Sequence, residues 1–189
     1  SSAQPSGENS VVESQVRLLR NAGHSVQLLG RYTDQESTKG SYALRSALRV
    51  ATGLGSNPLE ELNEFKPDIV HVHNLFPNFG VSWLNEWRGP IVITLHNYRL
   101  FCSNGLLYRN DHICFDCVDH GSANAVRHAC YRNSRLASIP VAISRRSSER
   151  RILSRAAKVI VLSEGAQSVF DSLNQTGASS VLIPNFGPG

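Results

Sequence analysis

A chain of 189 residues with 41% hydrophobic content carries enough apolar side chain to fill the core of one ordinary domain, which excludes a disordered or low-complexity protein. No apolar run approaches the roughly 20 residues of a membrane-spanning helix, so any membrane contact is expected to be peripheral, and a formal charge of +4 is too mild to make nucleic acid the default partner. The chain has no Met and opens on Ser1-Ser2-Ala3-Gln4-Pro5 without a secretory leader, so a fragment or processed piece is expected.

Ser10 followed by Glu13 has the spacing of a capping box, and Val11, Val12, Val16 and Leu19 recur at helical intervals until Gly23, so a helix is expected from near residue 10. Residues 24–29 read as a strand, residues 30–40 as a polar connection and residues 42–52 as a second helix. Asn57 before Pro58, with Glu60 and Glu61 behind them, starts a third helix, and Lys66-Pro67-Asp68 turns the chain into the strand 69–73. A short helix over 79–87 and a Gly89-Pro90 turn lead to a strand at 91–95, after which residues 97–130 read as an insertion. From Ser134 runs a long helical stretch that Pro140 should interrupt. It is followed by an apolar strand at 159–162, a helix capped by Ser163 and reaching Leu173, a last strand at 180–183 and a linker composition over 184–189.

Strands alternating with helices predict an α/β protein built on an open parallel sheet with helices on both faces. Such a unit normally begins with a strand feeding a glycine turn. Here the turn Ser6-Gly7-Glu8-Asn9 stands without that strand, so a gap in the sheet, or another segment filling it, is expected.

Ligands of open parallel sheets collect beyond the carboxyl ends of the strands. His73 and His96 each close an apolar strand and therefore belong to one edge of the sheet, whereas His71 lies in the strand body and reads as structural. The loop from Pro5 to Asn9 leads into a helix N-terminus, where free N–H groups attract phosphate or carboxylate, and Gly7 serves either close backbone approach or a turn with positive φ. The only approximation to a dinucleotide fingerprint, Gly53 to Pro58, follows a helix and lacks its last glycine, which argues against a nicotinamide enzyme. No arrangement of Ser, His and Asp suggests a covalent hydrolase.

Cys102, Cys114, Cys117 and Cys130 fall in one stretch of the insertion. Four thiolates around a tetrahedral zinc, reduced thiols and disulfides are all compatible with that spacing, with His112, His120 and His128 as alternate ligands. Arg145, Arg146, Arg150, Arg151, Arg155 and Lys158 form a basic run, read first as a solvated helix face and second as a patch for anionic lipid or a phosphorylated acceptor.

Six segments in order resemble the N-terminal half of a glycosyltransferase of family 4. They are Ser6-Gly7, Ala22-Gly23-His24-Ser25-Val26, Lys66-Pro67-Asp68-Ile69-Val70-His71-Val72-His73-Asn74, Thr94-Leu95-His96-Asn97-Tyr98, Val161-Leu162-Ser163-Glu164 and Ile183-Pro184-Asn185. The resemblance implies one Rossmann-like domain over residues 1–183, half of a GT-B fold, with 184–189 opening the linker to a C-terminal donor domain that lies outside this chain. It implies a retaining, cytoplasmic enzyme, free or peripheral at the inner membrane face. Such an enzyme moves a sugar from a nucleotide-sugar donor to a glycan or lipid-linked acceptor of cell-envelope polysaccharide synthesis, with no catalytic metal and only a possible structural zinc. On the same ground His96 belongs to the reaction zone, and Gly7, Glu8, His73, Asn74, Asn97, Tyr98 and Ser163 to the substrate and donor-phosphate contacts. The chain has Ser6-Gly7 where members often carry two glycines, and His96-Asn97 where they often carry His-Asp. Alone, it is expected not to transfer sugar. The rival expectations are a zinc-stapled basic module that binds nucleic acid and a sugar epimerase of the same architecture.

Overall fold

A computed structural model describes residues 7–30 and 42–185. The connection expected over 30–40 and the residues Ser6 and Pro5 of the first turn fall almost wholly outside them. In chain order the described elements are α1 (Gly7–Asn21), α2 (Tyr42–Thr52), α3 (Leu59–Phe65), β1 (Val70–Val72), a 3-10 turn (Ser82–Asn85), β2 (Ile91–Thr94), β3 (Tyr108–Arg109), β4 (His112–Ile113), α4 (Asp116–Asp119), α5 (Ala123–Arg127), α6 (Arg135–Arg155), β5 (Lys158–Val161), α7 (Glu164–Leu173) and β6 (Ser180–Leu182). β1, β2, β5 and β6 form one parallel sheet in that order, in register Val72 to Ile93, Thr94 to Ile160 and Val161 to Leu182. β3 and β4 form a separate antiparallel hairpin. No described helix is long and apolar enough to cross a membrane.

Local chemistry sets most of the boundaries. α1 ends in a Schellman arrangement: Gly23 takes φ +89, and the N–H groups of Gly23 and His24 donate to the carbonyls of Arg20 and Leu19. Its start corrects the expected one, because α1 already includes Gly7 and leaves Ser10 inside the first turns, where it caps nothing. A serine three residues before a glutamate is a box only where the chain enters the helix, and here the helical backbone already runs from Gly7. The Leu59 N–H donates to Asn57 Oδ1 at 3.0 Å, so Asn57 opens α3 as its spacing suggested. Ser134 and Ser163 cap α6 and α7, accepting from the N–H groups of Ala137 and Ala166.

α6 runs unbroken through Pro140, contrary to expectation. The carbonyl that loses its N–H partner belongs to Leu136, which is 79% exposed and can bond to water, while α2 and α5 pack along the helix and hold it straight. The basic run is likewise not one solvated face. Arg145 is buried and Arg155 donates to the carbonyls of Leu84 and Trp87 at 2.9 and 2.7 Å, whereas Arg150, Arg151 and Lys158 are exposed.

Among the described residues two larger clusters make the core, and a small third one joins Cys117 and Ala125 of the insertion to Ala142 of α6. One of the larger clusters gathers Leu62, Val72, Trp83, Leu84, Ile91 and Ile93, the other Phe101, Leu153, Val159, Val161 and Phe170. Residues 24–30 are not a strand. A trough of about 780 Å³, lined by Val12 and Val16 of α1, Leu29, Leu62 and the β1 residues Val70 and His71, separates them from the sheet, and no ladder bond bridges it. This is the gap that the sequence implied.

Residues 53–56 lie backbone to backbone against residues 78–81. Ser56 N–H donates to Asn78 O, Gly80 N–H to Ser56 O and Val81 N–H to Gly53 O. A Cβ on Gly55 would stand 2.4 Å from the Gly80 nitrogen, a contact no side-chain rotation relieves. Gly55→Ala is therefore expected to destabilise the chain by about 1–3 kcal/mol or more, read as a lowered Tm, and an unchanged Tm would refute the close packing.

Candidate active site

Alternation along β1 puts His71 and His73 on one face, and the register with β2 brings Thr94 and then His96 alongside them. His73 Nδ1 and His96 Nε2 are 3.0 Å apart, with their rings stacked at 5.3 Å between centroids and 30° between planes. The rings of His71 and His73 are 4.2 Å apart, and His71 Nε2 is hydrogen bonded to the buried Thr94 hydroxyl at 2.8 Å. His71 therefore joins the histidine row while also serving a structural hydrogen bond. It is exposed toward the trough and enclosed by protein on its other sides.

The row is electrically neutral near pH 7. Burial, and then the neighbouring His71 and His96, push His73 down to about 3. Burial lowers His71 and His96 as well, with Glu8 opposing the fall at His96. Two neutral imidazoles sharing one hydrogen bond must adopt complementary tautomers: if His73 donates from Nδ1, His96 accepts at Nε2 and carries its proton on Nδ1. A histidine whose folded pKa lies below its unfolded value contributes stability above the unfolded pKa and loses it as pH falls. Stability is thus expected to decline as pH drops from about 6.5 toward 3, because the unfolded chain takes up protons that folded His73 refuses. Thermal melts across this window should show the slope, and His73→Asn should flatten it; parallel profiles for the two chains would refute the assignment.

His73 and His96 line a cavity of about 120 Å³ with Leu75, Phe79, Leu100, Val141 and Ile152, into which Arg49, Arg99 and Arg145 also reach. The Arg99 guanidinium lies 4.7 Å from the Phe76 ring centre and 5.6 Å from that of Tyr131, and donates to Ser103 O at 2.9 Å. Burial lowers its pKa against the opposing pull of Tyr131. Arg145 crosses from α6 to donate to Phe101 O at 3.2 Å and Cys117 O at 2.8 Å. Sequence reasoning missed Arg99 and misplaced Arg145. The usable signal for Arg99 was a cation three residues after the strand-end histidine; for Arg145 it was its position one helical turn from Val141.

The other expected residues divide. Glu8 reaches Asn74, whose Nδ2 donates to its Oε2 at 3.4 Å, and Glu8 also acts electrostatically on His96, so Glu8, Asn74, His73 and His96 do come together. Gly7 begins α1 with a backbone outside the left-handed region and nothing within 4 Å of where its Cβ would be, so no turn demands glycine there. Asn97 Oδ1 accepts from Arg99 N–H, which folds the loop leaving β2. Tyr98 packs on the cluster around Phe101 instead of lining the cavity. Ser163 spends its hydroxyl on the cap of α7, at the carboxyl end of β5.

All four cysteines are free thiols and line a second, very small cavity in the insertion. Burial, and then Cys102 and Cys130, push the Cys117 thiol up to about 11. No three histidine, cysteine or carboxylate side chains among the described residues converge on a common ligation point as they stand.

A family model described as Glycosyltransferase Family 4 matches residues 5–186. No curated protein and no solved structure matches the chain.

Proposed function

The chain belongs to glycosyltransferase family 4, and from that premise we propose that it is the acceptor-side lobe of a retaining enzyme that takes a sugar from a nucleotide-sugar donor. The observation that carries the reading is the pair of neutral imidazoles, His73 and His96, hydrogen bonded to each other at the mouth of a cavity beyond the carboxyl ends of β1 and β2. A second lobe, following the linker at 184–189, holds most of the donor and closes the cleft. The acceptor is a glycan or a lipid-linked sugar, met in the cytoplasm or at the inner membrane face.

His96 is bonded through Nε2 to His73, and its Nδ1 makes no protein hydrogen bond among the described residues. That nitrogen orients a hydroxyl of the transferring sugar, or, in the tautomer protonated on Nε2, turns its lone pair toward the developing oxocarbenium face, as a positioning group. A depressed pKa suits that role, since an imidazolium would repel the positive charge that gathers at the anomeric carbon. His73 fixes the tautomer of its neighbour, and Asn74 and Glu8 hold the polar side of the entrance. The N-terminal turn of α1 at Gly7, with no described atom within 4 Å of where its Cβ would be, turns its main-chain N–H groups to the donor diphosphate. Stabilisation of the departing diphosphate comes from such dipoles and from cations, so catalysis proceeds without a metal. Asn97, Tyr98 and Ser163 act in the second rank, by shaping the loops around the cleft.

The two-lobed enzyme is to be incubated with nucleotide sugars and a panel of glycan and polyprenyl-linked acceptors, with the anomeric configuration of the product followed by NMR and the assay repeated in chelator. Transfer with retention and unaltered rate in chelator is expected. An inverted product, or an isomerised nucleotide sugar formed without any acceptor, would overturn the reading.

A further inference from the structure

We propose that Cys102, Cys114, Cys117 and Cys130 bind one zinc ion that staples the insertion 97–130 beside the candidate active site. The inference is independent of the transferase reading, since it rests on the insertion alone.

Four cysteines separated by up to 28 positions in sequence line one cavity of about 10 Å³, roughly the space of a single water. They are the only cysteines in the chain. A cavity of this size has room for one ion, whose bonds to thiolate sulfur are about 2.3 Å long, and the four cysteines share its lining with Asp116 and His128. As they stand the four sulfurs do not converge on one point. A change of χ1 from one staggered well to the next carries a cysteine sulfur about 3 Å, and Cys102 has an evident reason to point elsewhere: its thiol donates to Asn104 Oδ1 at 2.9 Å.

The surroundings fit the charge of the product. Binding exchanges four thiol protons for one Zn²⁺, releases the protons to solvent and leaves a centre of net charge −2. Two arginines flank it. Arg109 lines the cavity and pairs with Asp116 at 2.8 Å, and Arg145 donates to the Cys117 carbonyl. Both guanidinium groups retain a buried Nε–H that has no acceptor. Thiolate sulfurs of a bound centre supply acceptors of the right charge for such donors, in the manner of the outer partners that tune metal sites.

Regular secondary structure contributes little to the insertion, which packs instead through Phe101, Leu107, Cys117 and Ala125. It contains only the two-residue strands β3 and β4 and the short helices α4 and α5, and its Leu107 and Ala129 adopt left-handed φ of 52 and 50 although neither is glycine. Such backbone persists where surrounding contacts over-determine it. Leu107 adjoins a cysteine through the main chain, Cys114 N–H donating to Leu107 O, and Ala129 immediately precedes Cys130 in the chain. The staple acts on the site through Cys102, whose N–H donates to Tyr98 O, closing the loop that carries Arg99 to the histidines.

The test uses the whole chain, purified without a metal-binding tag under anaerobic, reducing conditions. Elemental analysis is expected to find about one zinc per chain, and replacement by cobalt(II) should give the thiolate charge-transfer bands and intense visible absorption of a tetrahedral tetrathiolate. Chelation should expose four reactive thiols and lower the Tm. Cys130→Ser should weaken the charge-transfer bands; if that variant fails to fold, the cobalt titration of the unaltered chain decides alone. Less than about one tenth of an ion per chain after dialysis against zinc, an octahedral cobalt spectrum, or disulfide-linked peptides in the non-reduced digest would each overturn the proposal.

Discussion

Replacing His96 with alanine in the two-lobed enzyme is expected to lower kcat about 100-fold or more, the usual loss when a group acting in the transition state is removed. Folding should survive, because the imidazole is only half-buried and its one protein hydrogen bond, to His73, contributes about 1 kcal/mol. The donor KM should change much less than kcat, since a positioning group for the reacting sugar acts more strongly on the transition state than on the ground state. His96→Gln keeps a donor near the same place and should recover part of the loss. Turnover within threefold of the parent for His96→Ala would end the role assigned to this residue, whatever the Tm did.

The second large effect is structural. Arg145→Ala is expected to lower stability by about 3–5 kcal/mol, near 10 °C in Tm for a chain of this size at roughly 2–4 °C per kcal/mol. The guanidinium donates to two main-chain carbonyls in separate segments, Phe101 and Cys117, and pairs with Glu149 at 3.5 Å. Its removal leaves the two carbonyls without that donor and takes a cation away from the Glu149 carboxylate. Arg145→Lys should rescue little, because one ammonium on a flexible stem cannot span both carbonyls as the planar fork does. A Tm within 2 °C of the parent for Arg145→Ala would show that the insertion is held by other means.

What the sequence disclosed follows from which interactions are local. The bounds of α2, the caps Ser134 and Ser163, the Asn57 start and the Gly23 stop depend on residues within one helical turn, and each could be read directly. β2 and its terminal His96 were legible because an apolar run ending in a histidine has the same meaning in any parallel sheet. Pairings between distant residues were not legible. Arg145 in a basic run looks like a solvated side chain until the insertion folds over it, and His71 looks like a strand-interior residue until the Thr94 hydroxyl, two positions beyond its ladder partner Val92, reaches its ring. The β3–β4 hairpin carried a local signal that was not used: Asn110 and Asp111 at φ 50 and 62 form the two-residue turn that such residues favour. The segment 24–29 alternates as a strand should, but a pattern of side chains cannot supply a neighbouring backbone to bond with.

The joint between Gly55 and Gly80 has a consequence for how ligands come and go. Gly53 on one side of it and Phe79 and Val81 on the other all border the cavity beside His96, so two of its walls are a single welded piece. Widening the entrance there would require several main-chain hydrogen bonds to break at once. Breathing motions that admit an acceptor are therefore expected in its other lining segments, such as the loop that leaves β2 with Asn97 and Arg99, and exchange of amide hydrogens there should outpace that of residues 53–56.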